Sequence, residues 1–341
     1  VVIIVSDSFE INTDENKIID YAQKYKIPYI IIFNKIDLVF DNKIKRNLID
    51  EYPNSILVSA TEFQNNIEMR NNFFELLIEK IQIAMENDKE NKNQSILKDI
   101  IVRIINQKNN ESNNIENDIP LIVLVTPIDS QAPKGRLILP QVQTIRDALD
   151  NNAIVIVTKT ENFLQTLSTL KKQPQLVICD SQVINEINKL CPSNIKLTTF
   201  SILFSKLKGD FDELVKGAFA IQNLKSNDKI LIAESCSHHP NHEDIGRIKI
   251  PNLIKKYTNN KSLIINHCAG KDFPSNLDEY KLIIHCGGCI LNRKEMLIRI
   301  HSALESGCFI TNYGMAISVM QGVFERVLEP LYDNFDNDCK K

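Results

Sequence analysis

Lys281-Leu-Ile-Ile-His285-Cys286-Gly-Gly-Cys289 is the stretch whose reading decides the fold. Its first four residues read as a buried strand that runs straight into a ligand loop. Upstream, Ile232-Ala-Glu-Ser-Cys236-Ser-His238 repeats the pattern. Two apolar runs thus each end in cysteine and histidine. Thiolate and imidazole are soft, metal-seeking donors. The two residues between Cys286 and Cys289 let both sulfurs turn toward one centre, and Gly287 and Gly288 let the backbone wrap closely around it. Cys236 adds a third sulfur, with His238 and His285 in reserve. The pattern predicts a metal or iron–sulfur site with one position not held by cysteine.

Around this stretch the chain alternates strand and helix. Residues 201–341 predict strands at Lys229–Ala233, Ser262–Ile265 and Lys281–Ile284, with helices at Phe211–Asn223, Ile250–Tyr257, Arg293–Ser306 and Tyr313–Leu328. Strands separated by helices of this length imply a parallel sheet. The C-terminal ends of parallel strands share one edge, so Cys236 can meet Cys286 and Cys289. Residues 119–200 repeat the pattern, with strands Leu121–Val125, Ala153–Val157, Leu176–Cys179 and Ile195–Leu197. Helices are predicted at Pro140–Leu149, Glu161–Leu170 and Ser181–Leu190. The loop Thr126–Leu139 carries Asp129, Lys134, Gly135 and Arg136 at a strand's C-terminal end, where open α/β sheets place function. A rigid connector is the competing reading. Residues 86–118 are polar and Asn-rich around one amphipathic helix, Ile96–Ile105, and read as two linkers.

The first 85 residues predict strands at Val1–Val5, Pro28–Phe33 and Ser55–Val58, and helices at Glu15–Tyr25 and Phe73–Ile83. The second strand ends in Asn34-Lys35-x-Asp37, the third in Ser59-Ala60-Thr61. The first motif resembles the guanine-recognition sequence of translation-factor-type GTPases, and the second resembles the loop that follows it. An aspartate accepts from both guanine N1–H and the 2-amino group, a donor pair that adenine lacks. Phosphate binding needs G-x-x-x-x-G-K-[ST], yet the first glycine here is Gly135. The expectation is a chain that holds the base end of GTP and cannot hydrolyse it alone. Val1 opens inside a strand, so the chain is expected to be the back part of a longer, N-terminally truncated protein.

Composition narrows the classes. The 341 residues suffice for two or three domains. An apolar content of 43% and a charged content of 24% are ordinary for a soluble protein. A net charge of −3 and a pI of about 6.1 argue against a nucleic-acid surface. No apolar run approaches the ~20 residues of a membrane span, and no secretory signal is visible. The eight cysteines are no disulfide framework in a chain of this length. Cys179, Cys191 and Cys308 read as small buried hydrophobes, and Cys339 as incidental. Cys236, Cys286 and Cys289 read as a group. Zinc held by Cys₃His and a Cys286-Gly-Gly-Cys289 dithiol compete with an iron–sulfur site on spacing alone.

Cys236-x-His238 followed by His285-Cys286-x-x-Cys289 resembles the signature of the HydF family, the scaffold GTPases of FeFe-hydrogenase maturation. Pro127-Ile-Asp129-Ser-Gln-Ala-Pro-Lys-Gly135-Arg136-Leu-Ile-Leu-Pro140-Gln-Val-Gln143-Thr and Thr311-Asn-Tyr313-Gly314-Met-Ala resemble that family too. The resemblance implies an α/β chain of three domains with parallel sheets. Residues 1–86 would be the C-terminal half of a P-loop GTPase domain, 87–118 a linker with one helix, 119–200 an α/β dimerisation domain, and 201–341 an iron–sulfur cluster-binding domain. It implies a 4Fe–4S cluster on Cys236, Cys286 and Cys289, with His238, His285 and Asp129 as candidate fourth ligands or supporting donors. Asn34, Lys35, Asp37, Ser59, Ala60 and Thr61 would hold the guanine of GTP. The implied function is to carry a di-iron precursor, made with the radical-SAM maturases HydE and HydG, to apo FeFe-hydrogenase, with GTP binding gating partner exchange. The expected form is a homodimer in an anaerobic cytoplasm, without nucleic-acid or membrane partners. A zinc-stabilised GTPase-linked adaptor and a dithiol oxidoreductase are the alternatives.

Overall fold

The computed structural model describes residues 1–7, 10–24, 27–64, 66–86, 95–111, 119–128, 135–235, 244–259, 262–270, 273–288 and 291–332. They form two compact units, Val1–Gln94 and Ser95–Lys341.

The first unit is a three-stranded parallel sheet in the order β1-β2-β3, made of β1 (Val2–Ser6), β2 (Tyr29–Phe33) and β3 (Ser55–Leu57). Helices α1 (Thr13–Lys24), α2 (Asn42–Glu51) and α3 (Ile67–Glu86) accompany it. Alternation along a strand sends neighbouring side chains to opposite faces. Ile31 and Phe33 accordingly pack with Ile4, Ile19 and Leu48, while Ile30 and Ile32 pack with Ile56, Val58 and α3 through Phe73 and Leu77. Both faces of β2 are buried, which is why it reads as an unbroken apolar run. Helix α2 is absent from the sequence reading. It starts where the Asp41 carboxylate accepts from the Lys43 amide, and it carries only three apolar residues, Ile44, Leu48 and Ile49. Helix α3 begins six residues before its expected start.

The second unit opens with α4 (Lys98–Glu111). Then come β4 (Leu121–Val125), α5 (Leu139–Asp150), β5 (Ile154–Thr158), α6 (Phe163–Thr169), β6 (Leu176–Cys179), α7 (Ile184–Leu190), β7 (Lys196–Thr199) and α8 (Phe200–Lys208). It continues through α9 (Phe211–Ala220), β8 (Lys229–Glu234), α10 (Ile250–Tyr257), β9 (Ile264–Ala269), β10 (Leu282–His285), α11 (Arg293–Glu305), β11 (Phe309–Asn312), α12 (Tyr313–Met320) and α13 (Phe324–Leu328). All pairings in its two sheets are parallel. The sheets run β5-β4-β6-β7 and β9-β8-β10-β11. In chain order both are second, first, third, fourth, so the strand order reverses once in each, between β4 and β6 and between β8 and β10. Open α/β sheets bind ligands outside the C-terminal ends of strands at such a reversal.

Both sheets share one hydrophobic cluster, running from Leu97 and Ile122 through Phe163 and Leu203 to Ile283, Ile300 and Leu328. Arg326 of α13 fastens the sheets further. Its guanidinium donates to Asn188 O and Oδ1 and to the carbonyls of Cys191 and Pro192, at 2.8–2.9 Å.

Several expectations shift. Helix α8 follows β7 directly, capped by the Thr199 hydroxyl, which accepts from the Ile202 amide. Its Phe-Ser-Ile-Leu-Phe run looks like more strand when read alone. Strand β11 is only four residues long and escapes a pattern search. The helix expected over Tyr313–Leu328 is two, because Gly322 takes φ +69°, a left-handed turn that ends a helix. Strand β9 runs past the expected end at Ile265 to Ala269, so Cys268 lies inside it, in register with Ala233. No helix among the described residues is long and apolar enough to cross a membrane.

Candidate functional site

The reversal between β8 and β10 is where the second motif pair arrives. Leu282–His285 pairs with Ile230–Ala233, so the two strands end side by side. Ser235 and Cys286 leave their tips together. The Ser235 amide donates to Cys286 Sγ at 3.1 Å, and Sγ meets Ser235 Oγ at 3.2 Å. Cys236, one residue beyond Ser235, lies outside the described residues, as do His238, Cys289 and Asp129. Among the described residues no group of three or more His, Cys, Asp or Glu side chains is arranged to hold a metal ion.

Burial acts to raise the Cys286 thiol. The neighbouring His285 imidazole, the Ser235 hydroxyl and the Gly288 backbone outweigh it and bring the thiol down to about 6. Cys286 is therefore a thiolate at neutral pH, the form that binds soft metals and attacks electrophiles. Burial alone dominates elsewhere. It pushes Cys308 up to about 12 and raises Cys179 and Cys191, all three inside the core. The metal-free protein should show Cys286 alkylation with a half-point near 6, while Cys179, Cys191 and Cys308 react only after denaturation. Tandem mass spectrometry across a pH series measures this. A half-point at the ordinary ~8.5 of a free cysteine would show that the local hydrogen bonds do not act as described.

His285 is the last residue of β10 and 1% exposed, not part of the open loop. Its Nε2 lies 2.9 Å from an Arg299 nitrogen and its Nδ1 2.6 Å from Cys286 O. Both ring nitrogens are thus occupied. Arg299 also donates to Gly270 O at 2.8 Å and sits 4.9 Å from the Phe273 ring centroid, which fixes its plane. Of the two glycines in the loop, Gly288 is the one the geometry demands. It has φ +59°, and a Cβ there would run into Met296 Cε, whereas Gly287 faces open space.

Residues that the sequence reading passed over complete the site. Glu234, buried at the tip of β8, accepts from the Tyr313 hydroxyl at 3.4 Å and faces Arg247 at 3.9 Å. Gly246 leaves room for this pair, since a Cβ there would strike both. Burial, then the charges of Glu234, Cys286 and Asp244, push the Tyr313 hydroxyl far up, so it stays protonated. Glu234 sits two residues before a flagged cysteine, and proximity in sequence was its only signal. Arg299 gave none.

In the first unit the two motif loops also meet. Asn34 Oδ1 accepts from the Lys35 amide at 2.8 Å and from the Ala60 amide at 3.0 Å. Ser59 Oγ and Thr61 Oγ1 lie 2.8 Å apart. Lys35 takes φ 60°, and its ammonium pairs with Asp7 at 3.0 Å, holding the Asp7 carboxyl below the usual range. Asp37 is exposed in the turn that follows β2.

Two parallel α/β sheets of like strand order, with a thiolate at the reversal point of the second, define a multidomain α/β protein with a soft-donor site. Residues 113–209 match the family model described as the hydrogen maturase F dimerization domain, and residues 212–330 the hydrogen maturase F tetramerization domain. No curated protein matches the chain. The chain belongs to the hydrogen maturase F family, HydF. It takes part in hydrogenase maturation and carries domains for assembling oligomers. The region expected to be a cluster-binding domain is thus matched as a tetramerization domain, which extends the expected homodimer toward a higher oligomer.

Proposed function

We propose that this chain is a scaffold that holds a 4Fe–4S cluster on Cys236, Cys286 and Cys289 and carries a di-iron precursor to apo FeFe-hydrogenase. The observation that supports this reading is the bond from the Ser235 amide to Cys286 Sγ. It brings the residue next to Cys236 against the sulfur of the second motif, although 51 positions separate the partners. The donor set suits the group, because thiolates are the usual ligands of such clusters and N–H groups aimed at their sulfur tune them. When bound, the cluster supplies an iron with an exchangeable position for the precursor.

The chain's own residues set the environment. Cys286 is deprotonated without a base. His285, tied at both nitrogens, supports the Cys286 backbone instead of ligating. His238 and Asp129 are then the candidate oxygen or nitrogen donors for the fourth position. Glu234 and Tyr313 give the site a buried polar wall. HydE and HydG are the proposed sources of the precursor, in an anaerobic cytoplasm. In the first unit, Asn34, Lys35, Asp37, Ser59, Ala60 and Thr61 are proposed to take the guanine of GTP. Asn34 locks the two loops together and Asp37 is free to meet the base, and nucleotide binding gates partner exchange.

Anaerobic reconstitution with ferrous iron and sulfide tests the cluster. The expected product is brown, carries roughly four irons per chain, and gives an EPR signal on reduction. Colourless protein holding zinc, or a thiol pair that cycles without taking up iron, would overturn the proposal.

A further inference from the structure

The two matched family domains abut at Gly209, and the chain is clasped across that seam from both sides. Lys208, the last residue of α8, reaches into the loop after β10. Its ammonium donates to Gly288 O and to Leu291 O, each at 3.0 Å. Arg293, the first residue of α11, reaches back. Its guanidinium donates to Leu207 O at 2.8 Å and Gly209 O at 3.1 Å. These are carbonyls at the C-terminal end of α8, which helix geometry leaves without partners and which attract positive charge. Lys208 therefore satisfies the loop that leads into α11, and Arg293 the C-terminal end of α8. Both side chains are half-buried, where such bonds are worth more than at an open surface.

The clasp is next to the thiol. Lys208, Ser205 and Phe204 of α8 line a cavity of about 10 Å³ together with His285, Cys286 and Gly287. That is room for about one water molecule. Gly209 fits tightly between the halves, since a Cβ there would come within 2.7 Å of Leu214 and 3.3 Å of Ile300. The loop beyond Cys286 is thus held from the dimerization domain, while His285 and Ser235 hold it from its own sheet. Lys208 thus ties Gly288 and Leu291, on either side of the second cysteine of the motif, to the end of α8.

We infer that Lys208 is a positioning residue for the cysteine loop, clasped with Arg293, and that through it the dimerization domain sets how well the loop holds soft metal. This rests on the proposed cluster-scaffold reading for its metal arm only. Lysine donates to Gly288 O and Leu291 O from one point charge. Methionine keeps the length of the stem and removes both bonds. Arginine keeps the charge and can reach two carbonyls with its fork.

The test compares Lys208→Met, Lys208→Arg and wild type in the full chain. The first readout is the alkylation rate of Cys286 in metal-free protein, at a pH above the range in which this thiol titrates. The second is iron retained after reconstitution and a chelator challenge. Lys208→Met should alkylate roughly tenfold faster, as loss of about 1.4 kcal/mol of charged hydrogen bonding would give. It should also lose iron faster by a similar factor, and Lys208→Arg should restore both. Melting temperature and oligomer size should stay close to wild type, which a merely structural role would not allow. If Lys208→Met does not fold, Lys208→Gln is read in its place. Unchanged alkylation overturns the inference, as does faster alkylation with normal iron retention, or failure of Lys208→Arg to restore either. If wild type takes no cluster, the scaffold reading fails, and the alkylation arm still decides whether Lys208 holds the loop.

Discussion

Cys286→Ser should give a folded protein that no longer takes up a cluster. Serine keeps the hydrogen bonds that fix this position, because its hydroxyl can still accept from the Ser235 amide and meet the Ser235 hydroxyl. What it loses is a thiolate. Cys286 is ionised at neutral pH, whereas a serine hydroxyl is not, and a neutral oxygen is a poor donor to iron that already prefers sulfur. The expected outcome after anaerobic reconstitution is loss of the visible band, an iron content near zero after desalting, and no EPR signal on reduction. Cys308→Ser is the control. Cys308 is 2% exposed with its thiol pushed up to about 12, so its replacement should cost stability and leave cluster loading per folded chain unchanged. Cluster loading of Cys286→Ser at wild-type level would remove this thiol from the site and, with it, the proposed ligand set.

How much of this could be read in the sequence depends on how local each cause is. The parallel α/β class was legible because buried strands such as Leu121–Val125 and Leu282–Ile284 are unbroken apolar runs, and helices separate them. That the strands leading to the two Cys/His stretches would end at one edge was legible as well, because parallel strand tips share an edge. The adjacency of β8 and β10 was not, since strand order depends on which helix covers which face. His285 stayed open in the sequence, as fourth ligand or supporting donor, for the same reason. A histidine beside a cysteine looks like a ligand until Arg299, fourteen residues on, is seen to occupy its Nε2. Lys208 gave no signal at all, because a lysine at a helix end reads as a solvated charge. Helix α8 hid behind its own hydrophobicity. Its Phe200, Ile202, Leu203 and Phe204 are all buried, so no polar face betrayed the helical period. In the first unit the meeting of the Asn34 and Ala60 loops follows from the direct pairing of β2 and β3, the strands they leave.

Gly217 in α9 should prove the least replaceable position away from the site. A Cβ built there would run into the carbonyl oxygen and carbon of Ile310, in the backbone of β11. The obstacle is main chain, and it is held on its other side by pairing with β10, so it cannot turn aside as a side chain would. Helix and strand are tied at this contact by a buried bond from the Thr311 hydroxyl to Leu214 O at 2.9 Å. Glycine costs a helix interior about 1 kcal/mol relative to alanine, so Gly217→Ala would stabilise α9 if the helix were alone. Here the overlap dominates, and forcing extra atoms into a packed interface costs about 1–3 kcal/mol or more. Gly217→Ala should therefore melt several degrees below wild type in spite of its better helix propensity, and Gly217→Val should fail to accumulate as folded protein. Thermal unfolding followed by circular dichroism measures both. The consequence reaches the thiol, because β11 flanks the strand that ends in His285. Gly217→Ala should lose cluster loading only in proportion to the folded fraction, whereas Cys286→Ser loses it with the fold intact. A melting temperature at or above wild type for Gly217→Ala would mean that α9 does not lie against β11 as closely as its backbone geometry requires.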